Sequence, residues 1–168
     1  MHGHCSLSAN PLPTHENYSG VFDPDLSDNP RFLQLKAYWD RKRGGRAMPM
    51  RADIDPLELR GHVGSLVLVD VLPAMTDFRM RLIGSRIVEA YGRDSTGKLL
   101  SSLKAADPDW WRFCDDLYRA IATRSVIARA RGTLRMVGRD FRTFDSVLLP
   151  LDAGDGSVGM ILAEQLFT

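Results

Sequence analysis

Apolar positions recur along this chain at two spacings, and the switches between them outline its elements. The first regular pattern is Phe32, Leu35 and Trp39, three to four residues apart, with Leu33 and Tyr38 broadening the stripe. Asn29 can cap such a helix, Pro30 suits its first turn and Gly44-Gly45 stop it, so the pattern predicts a helix over 29–43. Arg41, Lys42 and Arg43 fall in the last turn, where they complement the helix dipole. Before it, residues 1–27 contain Ser, Asn, Pro, Gly and His with only scattered apolar positions. They read as a mostly flexible tail, ordered only where it docks.

Further along, Asp55-Pro-Leu-Glu58 has a cap, a first-turn proline and a third-position acid, which predicts a short helix. The run VGSLVLVDVL over 63–72 is β-branched and apolar on both faces, the mark of a strand covered on both sides. A second strand, FRMRLIG over 78–84, alternates Phe78, Met80 and Leu82, and the short connection over 73–77 suits an antiparallel hairpin. A short helix over 85–91 comes next, closed by Gly92. A longer one over 108–124 is opened by Asp107 and Pro108, with Trp110, Cys114, Leu117 and Ile121 on one face and Phe113 beside them. Strand patterns over 126–136, 141–151 and 158–167 close the chain. Two adjacent strands, a helical insert and three further strands predict an α+β domain: one antiparallel sheet with its helices on one face.

The composition narrows the classes. A chain of 168 residues with 44% hydrophobic and 26% charged residues fits one soluble domain over 28–168. A net charge of +1 gives no global pull toward nucleic acid or an anionic membrane. No apolar run reaches the roughly 18 residues of a membrane span, and no secretory signal opens the chain. Cys5 and Cys114 are too few for a disulfide framework, so a cytoplasmic location is expected.

The chain offers several candidate chemistries. GRDSTGKL, over 92–99, nearly spells a phosphate-binding loop, failing only where Leu99 stands for the hydroxyl that holds Mg²⁺. A phosphate loop needs a strand before the glycines and a helix after the lysine. Here a helix precedes Gly92 and Asp94 would repel phosphate, so the stretch reads as a turn with Gly92 as helix C-cap. His2-Gly-His4-Cys5 lacks further ligands nearby, and no metal site is expected. Asp115 and Asp116 point about 100° apart on a helix and do not converge. His62, the sole histidine outside the tail, has no nucleophile to activate, so no enzyme is expected. Arg41, Lys42, Arg43, Arg46 and Arg51 form the strongest charge cluster. They read as a dipole-matched helix end with Arg51 paired to Asp53 or Asp55, and nucleic-acid binding is not expected.

Four pieces resemble, in order and spacing, a bacterial PAS-domain family known largely as stand-alone chains. They are AYWDRKRGGRAMPMRADIDPLELR, LVLVDV, FRMRLIGSRIVEAYGRDSTGK and VLLPL. The resemblance implies a five-stranded antiparallel sheet in the order 2-1-5-4-3, a helical insert on one face and a flanking N-terminal helix. It also implies a sensor or adaptor that binds a small molecule, a protein partner or both. The alternative is a ligand-independent interaction module with a side-chain-filled core. A pocket between insert and sheet is expected to involve Met80, Leu82, Val88, Tyr91, Trp110, Trp111, Phe113, Cys114, Leu117 and Ile121. The stripe of Phe32, Leu35 and Trp39 is expected to form the face of a homodimer. No cofactor is identified: the insert lacks a haem-ligating histidine, and Cys114 lies in RFCDDL rather than in a flavin-photoreceptor motif.

Overall fold

A computed structural model describes residues 16–168. The tail expectation for residues 1–15, including His2, His4 and Cys5, lies outside the described residues. The strands are β1 (Tyr18–Phe22), β2 (Leu66–Val71), β3 (Phe78–Ile83), β4 (Ala128–Leu134), β5 (Arg139–Asp152) and β6 (Val158–Phe167). The helices are α1 (Pro30–Arg43), α2 (Ser85–Tyr91) and α3 (Pro108–Arg124).

The six strands form one antiparallel sheet in the order β1-β4-β5-β6-β2-β3. Leaving β1 aside, the other five run in the order implied by the family resemblance. The sixth strand corrects the five-stranded expectation, and it comes from the segment read as tail. Its inward residues are Tyr18 and Phe22, with Gly20 between them, so the sequence carries only a faint alternation. Tertiary packing supplies the rest: the Tyr18 ring stacks on Phe113 at 5.2 Å, and Arg124 lies 4.3 Å over Phe22.

Helices cover both faces of the sheet. On the inner face, α2 and α3 lie against the side that includes Val67, Ala130, Ser146, Leu148 and Ala163. On the outer face, the cross-strand set Arg129, Val147, Glu164 and Leu66 lies under α1. Arg129 sits 5.5 Å over the Phe32 ring, Arg31 pairs with Glu164 at 2.9 Å, and Trp39 Nε1 donates to the Pro150 carbonyl at 2.9 Å. Phe32 and Leu35 are fully buried and Trp39 is 6% exposed. The stripe therefore belongs to this chain's own core, which corrects its assignment as a free face for a second subunit. The insert covers only one apolar side of the sheet, and α1 covers the other. This also explains why the run over 63–72 is apolar on both sides.

Two local expectations fail for physical reasons. Residues 55–62 make successive turns instead of a helix, with the Asp55 carboxylate accepting from Leu57 N at 2.9 Å. Leu57 is 71% exposed, so no apolar face anchors a helix there. In β3 the register shifts between Leu68 and Val69: Met80 pairs with Val69 while Leu82 pairs with Leu68. The bulge at Arg81 turns Leu82 to the outer face, 37% exposed.

The same outer face explains a charge within β6. Glu164 is fully buried, and its carboxylate accepts from Arg31 and lies 2.9 Å from His62 Nδ1. A buried carboxylate needs such partners.

Candidate functional site: the cavity between helices and sheet

The site is framed by the ends of two helices. Asp107 caps α3, its carboxylate accepting from Trp110 N at 3.0 Å, and this fixes the first turn that carries Trp110. Gly92 closes α2 in the left-handed conformation with φ 72°, its N–H donating to Val88 O at 2.8 Å. The chain then folds back over the inner face, bringing Arg93 and Ser95 to the cavity wall.

Several amides of GRDSTGKL are engaged within the protein. Thr96 N donates to Asp94 Oδ1 at 2.9 Å, Gly97 N to Met80 O at 2.6 Å and Lys98 N to Ser95 O at 3.0 Å. Only a single 3₁₀ turn, Leu100–Leu103, comes after it, without the helix N-terminus a phosphate would need. The stretch is a turn.

Two adjoining cavities of about 70 and 60 Å³ lie between α2, α3 and the sheet, sharing Val67, Tyr91, Trp110, Tyr118 and Gln165 as walls. Of the residues expected at a pocket, Met80, Tyr91, Trp110, Phe113, Cys114 and Leu117 line them. Leu82, Val88, Trp111 and Ile121 do not. Leu82 is turned away by the bulge, and Ile87 holds the inward position on α2, one residue from the half-buried Val88. Trp111 packs on the flank of α3 beneath Lys104, whose Nζ is 4.5 Å from the ring. Ile121 is fully buried in the core beyond the cavities.

Sequence reasoning missed Val67, Ile83, Ile87, Leu103, Tyr118, Gln165, Arg93 and Ser95, and the sheet residues that complete the smaller cavity. Tyr118 was findable, because it lies four residues after Cys114 and shares its helix face. Gln165 is two residues from Ala163 in β6, so strand alternation puts it on the same face. Arg93 and Ser95 carry no periodic signal.

The cavity's polar groups are few. Gln165 Nε2 donates to Tyr91 Oη at 2.7 Å, Ser146 Oγ donates to Ala130 O at 3.2 Å, and Tyr118 is hydrogen-bonded to Cys114. Burial pushes the Tyr91 and Tyr118 hydroxyls and the Cys114 thiol well above their ordinary values, so all three stay protonated at neutral pH. None supplies a base or a thiolate. A larger concavity of about 1020 Å³ opens to solvent near Arg86, Glu89, Arg131 and Asp145, and its charges are of both signs. The inner cavities are smaller but walled by aromatic side chains, as a small-molecule site requires.

Most of the basic cluster is paired. Lys42 bonds Glu58 at 2.8 Å, Arg43 bonds Asp40 at 3.0 Å and Arg46 bonds Asp53 at 2.8 Å, while Arg41 lies over the Tyr38 ring. Arg51 donates to the Ile54 carbonyl, so Arg46 and not Arg51 is the partner of Asp53. Asp115 holds Arg119 at 2.9 Å. Among the described residues no group of three or more metal-ligating side chains gathers, and no helix is long and apolar enough to cross a membrane.

A PAS-domain family model matches residues 28–163. No curated protein matches the chain. A solved structure of an RNA-binding light-oxygen-voltage receptor is similar at 18% identity and a TM-score of 0.44, over 70% of this chain and 35% of that one.

Proposed function

This chain belongs to the PAS-domain family, and we propose that it serves as a cytoplasmic sensor or adaptor in bacterial signalling. In this reading a small molecule occupies the inner cavity and biases contact with a protein partner or a second copy of the chain. The observation that carries it is the pair of walled cavities, about 70 and 60 Å³, which meet at Tyr91, Trp110, Tyr118 and Gln165. Apolar walls with a few fixed polar groups are what a small ligand needs for affinity and orientation. The reading makes the chain a binder and not a catalyst, since the titratable groups of the cavity are held protonated by burial.

A second reading is favoured by the small size of those cavities: a ligand-independent interaction module whose core is filled by side chains. Fragment titration followed by amide chemical shifts separates the two. The sensor reading expects ligands that shift the amides of Tyr91, Tyr118 and Gln165 and lose affinity in Val67→Phe, which narrows both cavities. Ligands that shift only surface amides, or bind Val67→Phe unchanged, favour the module.

A further inference from the structure

Among the described residues, Arg93 is the one charged side chain lining either inner cavity. It is half-buried and makes no hydrogen bond, ion pair or ring contact with another described residue. Several basic side chains of similar or deeper burial are engaged, Arg129 by Asp28 and Asp145, Arg119 by Asp115 and Lys42 by Glu58, while Arg79, also half-buried, lies on β3 and lines neither cavity. The neighbouring Asp94 makes no ion pair with Arg93, and its Oδ1 accepts from Thr96 N and Thr96 Oγ1. A partly desolvated guanidinium without an acceptor is costly, and a bound anion relieves that cost.

The groups beside it are also donors. The Ser95 hydroxyl, on a residue 8% exposed in the same wall, makes no hydrogen bond among the described residues. Tyr91 Oη accepts from Gln165 Nε2 at 2.7 Å, which leaves its own proton to donate. Burial keeps that phenol protonated. Among the described residues no carboxylate lines the cavity to compete. Opposite these donors stand apolar walls, including Met80, Ile87, Leu103 and Trp110.

We infer that this cavity takes a small monocarboxylate, with its charged end on Arg93 and the Tyr91 and Ser95 hydroxyls. The apolar body, a short branched chain or a single ring, lies against Met80, Ile87, Leu103 and Trp110. Size sets that limit: a single ring needs both adjoining cavities, about 70 and 60 Å³, since an apolar cavity that holds benzene measures roughly 150 Å³. A carboxylate only accepts hydrogen bonds and matches a guanidinium fork, whereas the isosteric amide has donors of its own and no charge. The inference rests on the sensor reading, and adds the chemistry of the ligand.

Calorimetry on the full chain tests it with two matched pairs, benzoate against benzamide and isobutyrate against isobutyramide. The expected result at neutral pH is that at least one acid binds about tenfold or more tightly than its amide. Arg93→Gln is expected to remove that preference and to leave the ligand-free melting temperature unchanged, since Arg93 has no partner to lose among the described residues. Equal affinity of acid and amide, or acid binding unaltered in Arg93→Gln, overturns the inference. Amides that bind where acids do not also overturn it, while leaving the cavity as a ligand site. If no member of either pair binds at millimolar concentration, the monocarboxylate is overturned and the sensor reading stands or falls on its own fragment titration.

Discussion

Tyr91 and Gln165 meet at 2.7 Å across the inner cavity, joining the last residue of α2 to the inward face of β6. This is a tie between insert and sheet, made by two polar groups in a largely apolar space. Tyr91→Phe keeps the ring and leaves the Gln165 amide without this acceptor. The expected loss is about 1 kcal/mol, read from urea unfolding. An unchanged midpoint would show that the bond contributes nothing.

The turn after α2 depends on backbone, not on space. A Cβ at Gly92 would meet only Arg139 Nη2 at 3.6 Å, an ordinary contact, while φ of +72° disfavours any β-branched residue. Gly92→Val is expected to cost about 1–3 kcal/mol without a packing clash. A melt indistinguishable from wild type contradicts backbone strain as the cause.

Trp39 is bound into its own chain through the Pro150 carbonyl. Trp39→Phe is expected to lose that hydrogen bond, about 1 kcal/mol, and Trp39→Glu to lose several, because a charge would be buried without a partner. Neither change is expected to alter the solution mass of whatever species the wild type forms. A Trp39→Phe protein of unchanged stability but halved mass in light scattering would return the stripe to a subunit interface.

How far the sequence leads depends on whether a signal is local. The bounds of α2 and α3 can be read from caps and periodicity because Gly92 and Asp107-Pro108 act within a few residues. β1 cannot, because its stability comes from pairing with β4 more than a hundred residues away, and YSGVF has little pattern of its own. The Arg81 bulge depends on how β3 meets β2, so strict alternation misplaces Leu82. Periodicity marks the α1 stripe as buried but does not say against what. Within the cavity, the aromatic and helical members are legible, while Arg93 and Ser95 lie on a turn whose path only the fold reveals.

Acid sensitivity should centre on Arg129. Its guanidinium bonds both Asp28 oxygens, at 2.6 and 3.1 Å, and this holds the Asp28 carboxyl below its ordinary value. A lowered folded-state value stabilises the native form above the unfolded carboxyl value, and that stability is lost as pH falls through the folded one. Asp28→Asn is therefore expected to flatten the decline in melting temperature between about pH 5 and 2. A decline as steep as wild type would place the acid transition elsewhere.

Burial and the Cys114 environment predict inertness. With the thiol pushed well up by burial, a Cys5→Ser protein is expected to show no reaction with an aromatic disulfide at pH 8 until denaturant is added. Prompt reaction in the native state would mean that the cavity opens freely to solvent.

The central claim is that the inner cavity holds a small molecule, and native mass spectrometry tests it most directly. The protein, purified without added ligand, is weighed under native and then denaturing conditions. Each native species is predicted to carry an excess mass of one small molecule per chain over the 18.8 kDa polypeptide, and the excess to disappear on denaturation. Native and denatured masses that agree for each chain would contradict it.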